Sequence, residues 1–178
     1  PARNVLIGGP HTVFAPAYGS CFIYNLVEGR RYARIEDFRN FVKLTYLSKS
    51  LHHSSGTICE PVDLPVNKRH FDMVYSHIKY SDKPFMGSVT HPERAQDTVE
   101  MAKILFGDGY MDASTGRPNT VIVSLINVNS PMTYDATMLG ALKVYARANQ
   151  ATIITPFILS GAMSPVTVAG TAAQTLAE

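Results

Sequence analysis

A chain of 178 residues with 46% apolar and 17% charged content is long enough for one sizeable core, and its charge is low against the roughly 25% of a typical globular domain, which points to a soluble, well-buried protein. The net charge of +2, with no basic stripe interleaved with aromatics, argues against a nucleic-acid binder. No apolar run approaches the roughly 18 residues of a membrane span, and Cys21 and Cys59 form neither a CxxC pair nor a disulfide framework, which fits a reducing cytoplasm.

From the N-terminus, Val5–Ile7, Thr12–Ala17 and Cys21–Leu26 read as short strands, with Gly8-Gly9-Pro10 and Tyr18-Gly19-Ser20 as turns. Ile35, Phe38, Val42 and Tyr46 then recur at helical spacing, with Glu36 and Asp37 in the first turn, where the helix dipole favours acids. Residues 1–50 are thus expected to form a β-hairpin and helix that precede the main body, residues 51–178.

In that body a strand alternates with a helix four times. The strands are expected at Ser55–Cys59, Phe85–Val89, Val121–Ile126 and Thr152–Leu159. The helices are marked by Phe71, Val74, Tyr75 and Ile78, by Ala95, Val99, Ala102 and Phe106, by Met138, Ala141, Leu142 and Tyr145, and by Val166, Ala169, Ala173 and Leu176. Between strand and helix stand Pro61, Pro92, Pro131 and Pro165, spaced 31, 39 and 34 residues apart. Proline has a preset φ and no N–H, so it suits the first position of a helix, and each is expected to open one. Pro156 interrupts the fourth strand and predicts a bulge or an early end there.

Strand-loop-helix units at this spacing predict parallel α/β architecture, with ligands gathering at the carboxyl ends of the strands. Four units would leave bare sheet edges, and a complete (β/α)8 TIM barrel needs about four more. Pro131–Glu178 contains only Asp135, Lys143, Arg147 and Glu178 as charged residues, so the C-terminal quarter reads as buried, under protein that this chain does not supply.

Several runs resemble the trimethylamine methyltransferase family. They are Cys59-Glu-Pro-Val-Asp63, Ser81-Asp-Lys-Pro-Phe-Met-Gly-Ser-Val-Thr90, Leu125-Ile-Asn-Val-Asn-Ser-Pro131, Tyr145-Ala-Arg-Ala-Asn-Gln150 and Ser160-Gly-Ala-Met-Ser-Pro-Val-Thr-Val-Ala-Gly170. The resemblance implies the N-terminal portion of a (β/α)8 barrel that moves a methyl group from a methylated amine, trimethylamine or a betaine, to cobalt. That cobalt belongs to a corrinoid carried by a partner protein, so no cofactor is expected on this chain itself. A homo-oligomer is also expected. A noncatalytic quaternary-amine binding module, or a fragment inactive without the rest of the barrel, are the alternatives.

Transfer from a quaternary ammonium expels a neutral amine, so the site needs positioning and desolvation more than a general acid. Aromatic faces and carboxylates suit the cation. Glu60 ends the first strand and is the acidic candidate for substrate binding, unless it bonds a neighbouring loop or helix amide. Asn127 and Asn129, two apart at the end of the third strand, share a side and either contact ligand or close the loop as Asx turns. His91 is a further substrate-binding candidate, Thr90 is the expected cap of the second helix, and Ser130 and Ser164 precede prolines as caps. His52-His53 lacks the spacing of a metal site, and none is expected. Lys68-Arg69-His70 reads as a solvated helix start.

Overall fold

The computed structural model describes residues 3–178. The hairpin is β1 (Phe22–Asn25) and β2 (Gly29–Tyr32), antiparallel with Phe22 opposite Tyr32 and Asn25 opposite Gly29. Asn25 Oδ1 accepts from Val27 N and Glu28 N at the turn, and Gly29 takes the left-handed φ of 70° that a side chain would resist. Val5–Ile7 and Thr12–Ala17 are not strands. Residues 14–20 spend their hydrogen bonds elsewhere: Phe14 O accepts from His52 N and His53 N, Gly19 N donates to Thr57 O, and Ser20 O accepts from Glu60 N. The segment runs along the first stretch of the main body instead of pairing with itself.

Helix α1 (Ile35–Leu47) follows as the periodicity requires, with Phe38 and Val42 buried. Asp37 closes its first turn by accepting from Arg34 N, while a two-pronged pair with Arg31 at 2.7 and 2.9 Å holds its carboxyl below the usual range. No basic residue lies in the last turn of α1. Lys83, buried and distant in sequence, supplies the charge: its Nζ donates to Thr45 O at 2.6 Å and Ser48 O at 2.7 Å.

Helix α2 (Arg69–Tyr80) turns Val74 and Ile78 to the core as predicted, but not Phe71 and Tyr75. His70, Met73, Val74, Ser76 and His77 are buried, whereas Phe71 and Tyr75 are 41% and 51% exposed. Ser54 donates to His77 Nδ1, His77 Nε2 donates to Gly56 O, His70 Nε2 meets Asp97, and Ser76 donates to Asp72 O, leaving His70 Nδ1 as the one ring nitrogen of α2 without a partner among the described residues. Bonded polar groups are cheap to bury, so the histidines displaced the aromatics from the interface.

Helix α3 (Pro92–Phe106) turns Ala95, Thr98, Val99 and Ala102 inward. A 3-10 turn (Gly107–Tyr110) and a small hairpin, β3 (Met111–Asp112) with β4 (Arg117–Pro118), lead to β5 (Val123–Asn129). Helix α4 (Ala136–Arg147), β6 (Ala151–Phe157) and α5 (Val168–Ala177) complete the chain. Strands β5 and β6 are parallel, Val123 opposite Ala151 and Asn129 opposite Phe157. Pro156 stays in register opposite Val128 without a bulge, and the strand ends one residue later, at Phe157, short of the expected Leu159. The missing N–H of Pro156 is tolerated because β6 has no sheet partner on its other side among the described residues.

The first two expected strands are looser than predicted. Phe85–Val89 joins β5 through one parallel bridge, Met86 with Val123, formed by Gly87 N to Val123 O and Val123 N to Phe85 O, while Ser55–Cys59 meets Phe85–Val89 only through the single bonds Ser54 N to Pro84 O and Met86 N to Ser55 O. The left-handed φ of 66° at Ser55 breaks the regular ladder. The bonds still set the four segments side by side, parallel and in chain order. The result is a mixed α/β fold with no closed barrel among the described residues.

Only Pro92 opens a helix as predicted. Helices α2, α4 and α5 begin at Arg69, Ala136 and Val168, several residues beyond Pro61, Pro131 and Pro165. Asp135 and Thr167 cap α4 and α5 with their own side chains, so the prolines belong to the preceding loops.

The larger core lies between the sheet and helices α2 to α4, built on Phe85, Ile122, Ile126, Val99 and Tyr145. Gly87 is required here, because a Cβ would collide with the Tyr145 hydroxyl and sit 2.8 Å from Thr98. That hydroxyl instead donates to Ser88 O. Gln150 accepts from Val121 N and Ile122 N and donates to Asn119 O, fixing the entry to β5. A second core joins Ile23, Phe38, Val42, Cys59 and Met73. The C-terminal quarter is buried only in part: Ala141 and Tyr145 of α4 are fully buried, whereas α5 buries no residue and Leu176 is 88% exposed. The apolar side chains of α5 have no opposing surface among the described residues.

Candidate functional site

Bonds at Ser55, Met86 and Val123 align the first three segments. Counting on from that row, Glu60, Thr90 and Asn127 reach the same edge of the sheet, its carboxyl edge, with Asn129 just beyond. Ile126 lies in the core under α3 and α4, so Asn127 and Asn129, one and three positions on, project from the opposite, helix-free face. Asn127 is half-buried and Asn129 exposed. The loop after β5 is closed by reciprocal backbone bonds between Asn129 and Thr133, not by Asx turns of the amides.

Glu60 is half-buried, and its partner is neither a loop nor a helix amide but a side chain. Arg69 Nη1 donates to Glu60 Oε1 at 2.8 Å, and Nη2 donates to Leu64 O at 2.8 Å. The run read as solvated is therefore not so: only Lys68 is exposed, while the Arg69 side chain is 11% exposed and His70 is buried. Tyr18 stands close by. Burial raises its phenol pKa, a hydrogen bond with Thr57 opposes the rise, and the Glu60 carboxylate adds to it. Tyr18 is 40% exposed, and its ring lies beside Gly56, within electrostatic reach of Glu60.

At the second segment the cap of α3 is His91, not Thr90: His91 Nδ1 accepts from Glu93 N at 3.3 Å, while Thr90 Oγ1 accepts from Arg94 at 2.8 Å. The proline at the first helical position sets His91, the residue before it, as the cap. His91 remains exposed at the same edge. Neither serine caps a helix. Ser130 Oγ donates to Met163 O, and Ser164 shares a hydroxyl contact with Thr171, so both tie the loops that follow β5 and β6.

His52 and His53 point apart. His52 is exposed and accepts from Phe14 N, whereas His53 is buried, and burial pushes its pKa down to about 4. Among the described residues, no group of three His, Cys, Asp or Glu is placed to hold a metal ion. Burial pushes the Cys59 thiol up to about 12, which leaves it an inert core residue. A cavity of about 490 Å³ lined by Arg3–Ile7, Pro84 and Val121 lies at the amino ends of the segments, away from this edge.

Sequence reading missed Tyr18 and Arg69. Tyr18 sits in what reads as a turn, and Arg69 in what reads as a charged helix start. The one available signal for Arg69 was a basic residue shortly after an acidic candidate, across a loop stiffened by Pro61 and Pro65.

In a parallel α/β body the carboxyl edge of the strands is where ligands gather. The whole of the chain, residues 1–178, matches the trimethylamine methyltransferase family, and it belongs to that family. It is 50% identical over 171 residues to a glycine betaine methyltransferase of Desulfitobacterium hafniense (strain Y51), a match that covers 96% of this chain and 35% of that protein. The chain thus spans about a third of the length of this relative. Among the described residues, no helix is long and apolar enough to cross a membrane.

Proposed function

We propose that this chain supplies the first βα units of a (β/α)8 barrel that transfers a methyl group from a quaternary amine, glycine betaine first among them, to the cobalt of a separate corrinoid protein. The reading rests on family membership together with 50% identity to a glycine betaine methyltransferase along 96% of the chain. The structure supports it by aligning four parallel segments in chain order, the arrangement with which a barrel begins.

In the reaction the electron pair of reduced cobalt attacks a methyl carbon, the C–N bond breaks, and its pair stays on nitrogen as a neutral amine. No proton is required at the leaving group. The chain's own residues then bind and orient. The Tyr18 ring and the Glu60 carboxylate face the ammonium, where a desolvated cation gains most from both. Asn127, Asn129 and His91 orient the remainder of the substrate or the approaching corrinoid. Thr90, Ser130 and Ser164 hold the loops behind them.

The test is cobalt methylation in a cognate corrinoid protein, followed by absorbance, with the protein expressed at the full length of its relatives. Methylation dependent on glycine betaine is the expected result, and none with any methylated amine overturns the reading. Glu60→Gln is expected to raise KM for the betaine about tenfold, the equivalent of ~1.4 kcal/mol, with the fold intact. Unchanged kinetics would remove Glu60 from the site.

A further inference from the structure

Arg69 opens α2 beside Glu60, with its side chain 11% exposed against 30% for Glu60. Two of its donors are engaged, Nη1 by Glu60 and Nη2 by the Leu64 carbonyl, and Nε is buried with no partner among the described residues. A guanidinium carries five N–H groups, so donor capacity remains. Together the two side chains carry no net charge.

That balance bears on which cations the edge accepts. A lone carboxylate attracts every quaternary ammonium. Once a guanidinium lies against it, the two Coulomb terms largely cancel for a bare cation a few ångströms away. A zwitterion is different, because its ammonium meets the carboxylate while its own carboxylate gains from the guanidinium. Resting on the reading that Glu60 binds substrate, we propose that Arg69 is a specificity-determining residue that makes the site favour zwitterionic quaternary amines over bare quaternary cations.

The experiment compares glycine betaine with tetramethylammonium, which shares the methylated nitrogen and lacks the carboxylate. Dissociation constants are measured by calorimetry on the protein at the full length of its relatives, and betaine turnover is followed in parallel. Arg69→Met is expected to shift the affinity ratio at least tenfold toward tetramethylammonium. Glu60→Gln should shift it the opposite way, and Arg69→Lys, which restores the charge, should retain part of the betaine preference. Equal weakening of both ligands by Arg69→Met marks a purely structural arginine and overturns the proposal, as does an unmoved ratio. Should Arg69→Met fail to fold, Arg69→Lys and Glu60→Gln decide by whether their ratios part in the stated directions. A wild-type protein that binds neither ligand and transfers no methyl group sinks the functional reading itself. One that turns over betaine while Arg69 variants leave the ratio unchanged sinks this inference alone.

Discussion

Helix α2 buries His70, Ser76 and His77 and leaves Phe71 and Tyr75 exposed, whereas α5, composed of small and apolar residues with a few polar ones, buries nothing. Polarity therefore does not sort these two helices. What sorts them is whether a matching surface is present. Ser54, the Gly56 carbonyl and Asp97 present bonding partners to α2, so its polar face goes inward at little cost. Nothing among the described residues presents an apolar surface to α5. Its low charge marks a face that asks to be covered, and burial follows only when a cover exists.

The contrast can be broken most severely in the core that α3 and α4 share with β5. Ile126→Ala there is expected to cost about 2–5 kcal/mol through lost contacts and a residual cavity, read from the midpoint of denaturant unfolding of the 178-residue chain. Next in size is acid. Burial lowers the pKa of both His53 and His77 to about 4, from 6.5. Folded-state values below the unfolded value mean that the unfolded chain binds more protons between pH 6.5 and 4. Stability is therefore full above pH 6.5 and falls as pH drops toward 4, by up to about 3 kcal/mol per histidine. Urea unfolding across that range measures it, and a flat profile would show that neither ring is kept neutral by the fold.

Lys83→Met removes the ammonium that closes α1 and should cost about 1.5–3 kcal/mol, the worth of hydrogen bonds to a charged group. A loss under half a kcal/mol would mean that water replaces the ammonium at those carbonyls. Smallest is Leu176→Ala on α5, expected within about 0.5 kcal/mol in the 178-residue chain. The same substitution in the protein at the full length of its relatives should cost several times more if further βα units cover α5, which sharpens the comparison directly.

Periodicity carried much of the fold. Helices α1, α3 and α4 lie where apolar spacing puts them, because one face of each meets one continuous core. On α2 it placed Val74 and Ile78 but missed His70 and His77, which hydrogen-bond partners far off in sequence drew inward. The proline rule succeeded at Pro92, where helix follows strand at once, and failed at Pro61, Pro131 and Pro165, where longer loops intervene and Asp135 and Thr167 cap better. That Cys21 and Cys59 do not pair was legible without coordinates. The Glu60–Arg69 pair was not, since a loop conformation decides whether a helix-start arginine meets solvent or a carboxylate.

By itself the sequence determined the order of the units, the strand ends on which Glu60, Asn127 and Asn129 fall, and the family, because composition, period and local motif are properties of neighbours along the chain. Only the tertiary structure decided that α2 faces inward with histidines, that Lys83 closes α1, and that Arg69 pairs with Glu60. Each of those depends on a contact between residues brought together by folding, and the free energy of a contact is set by what the other side presents.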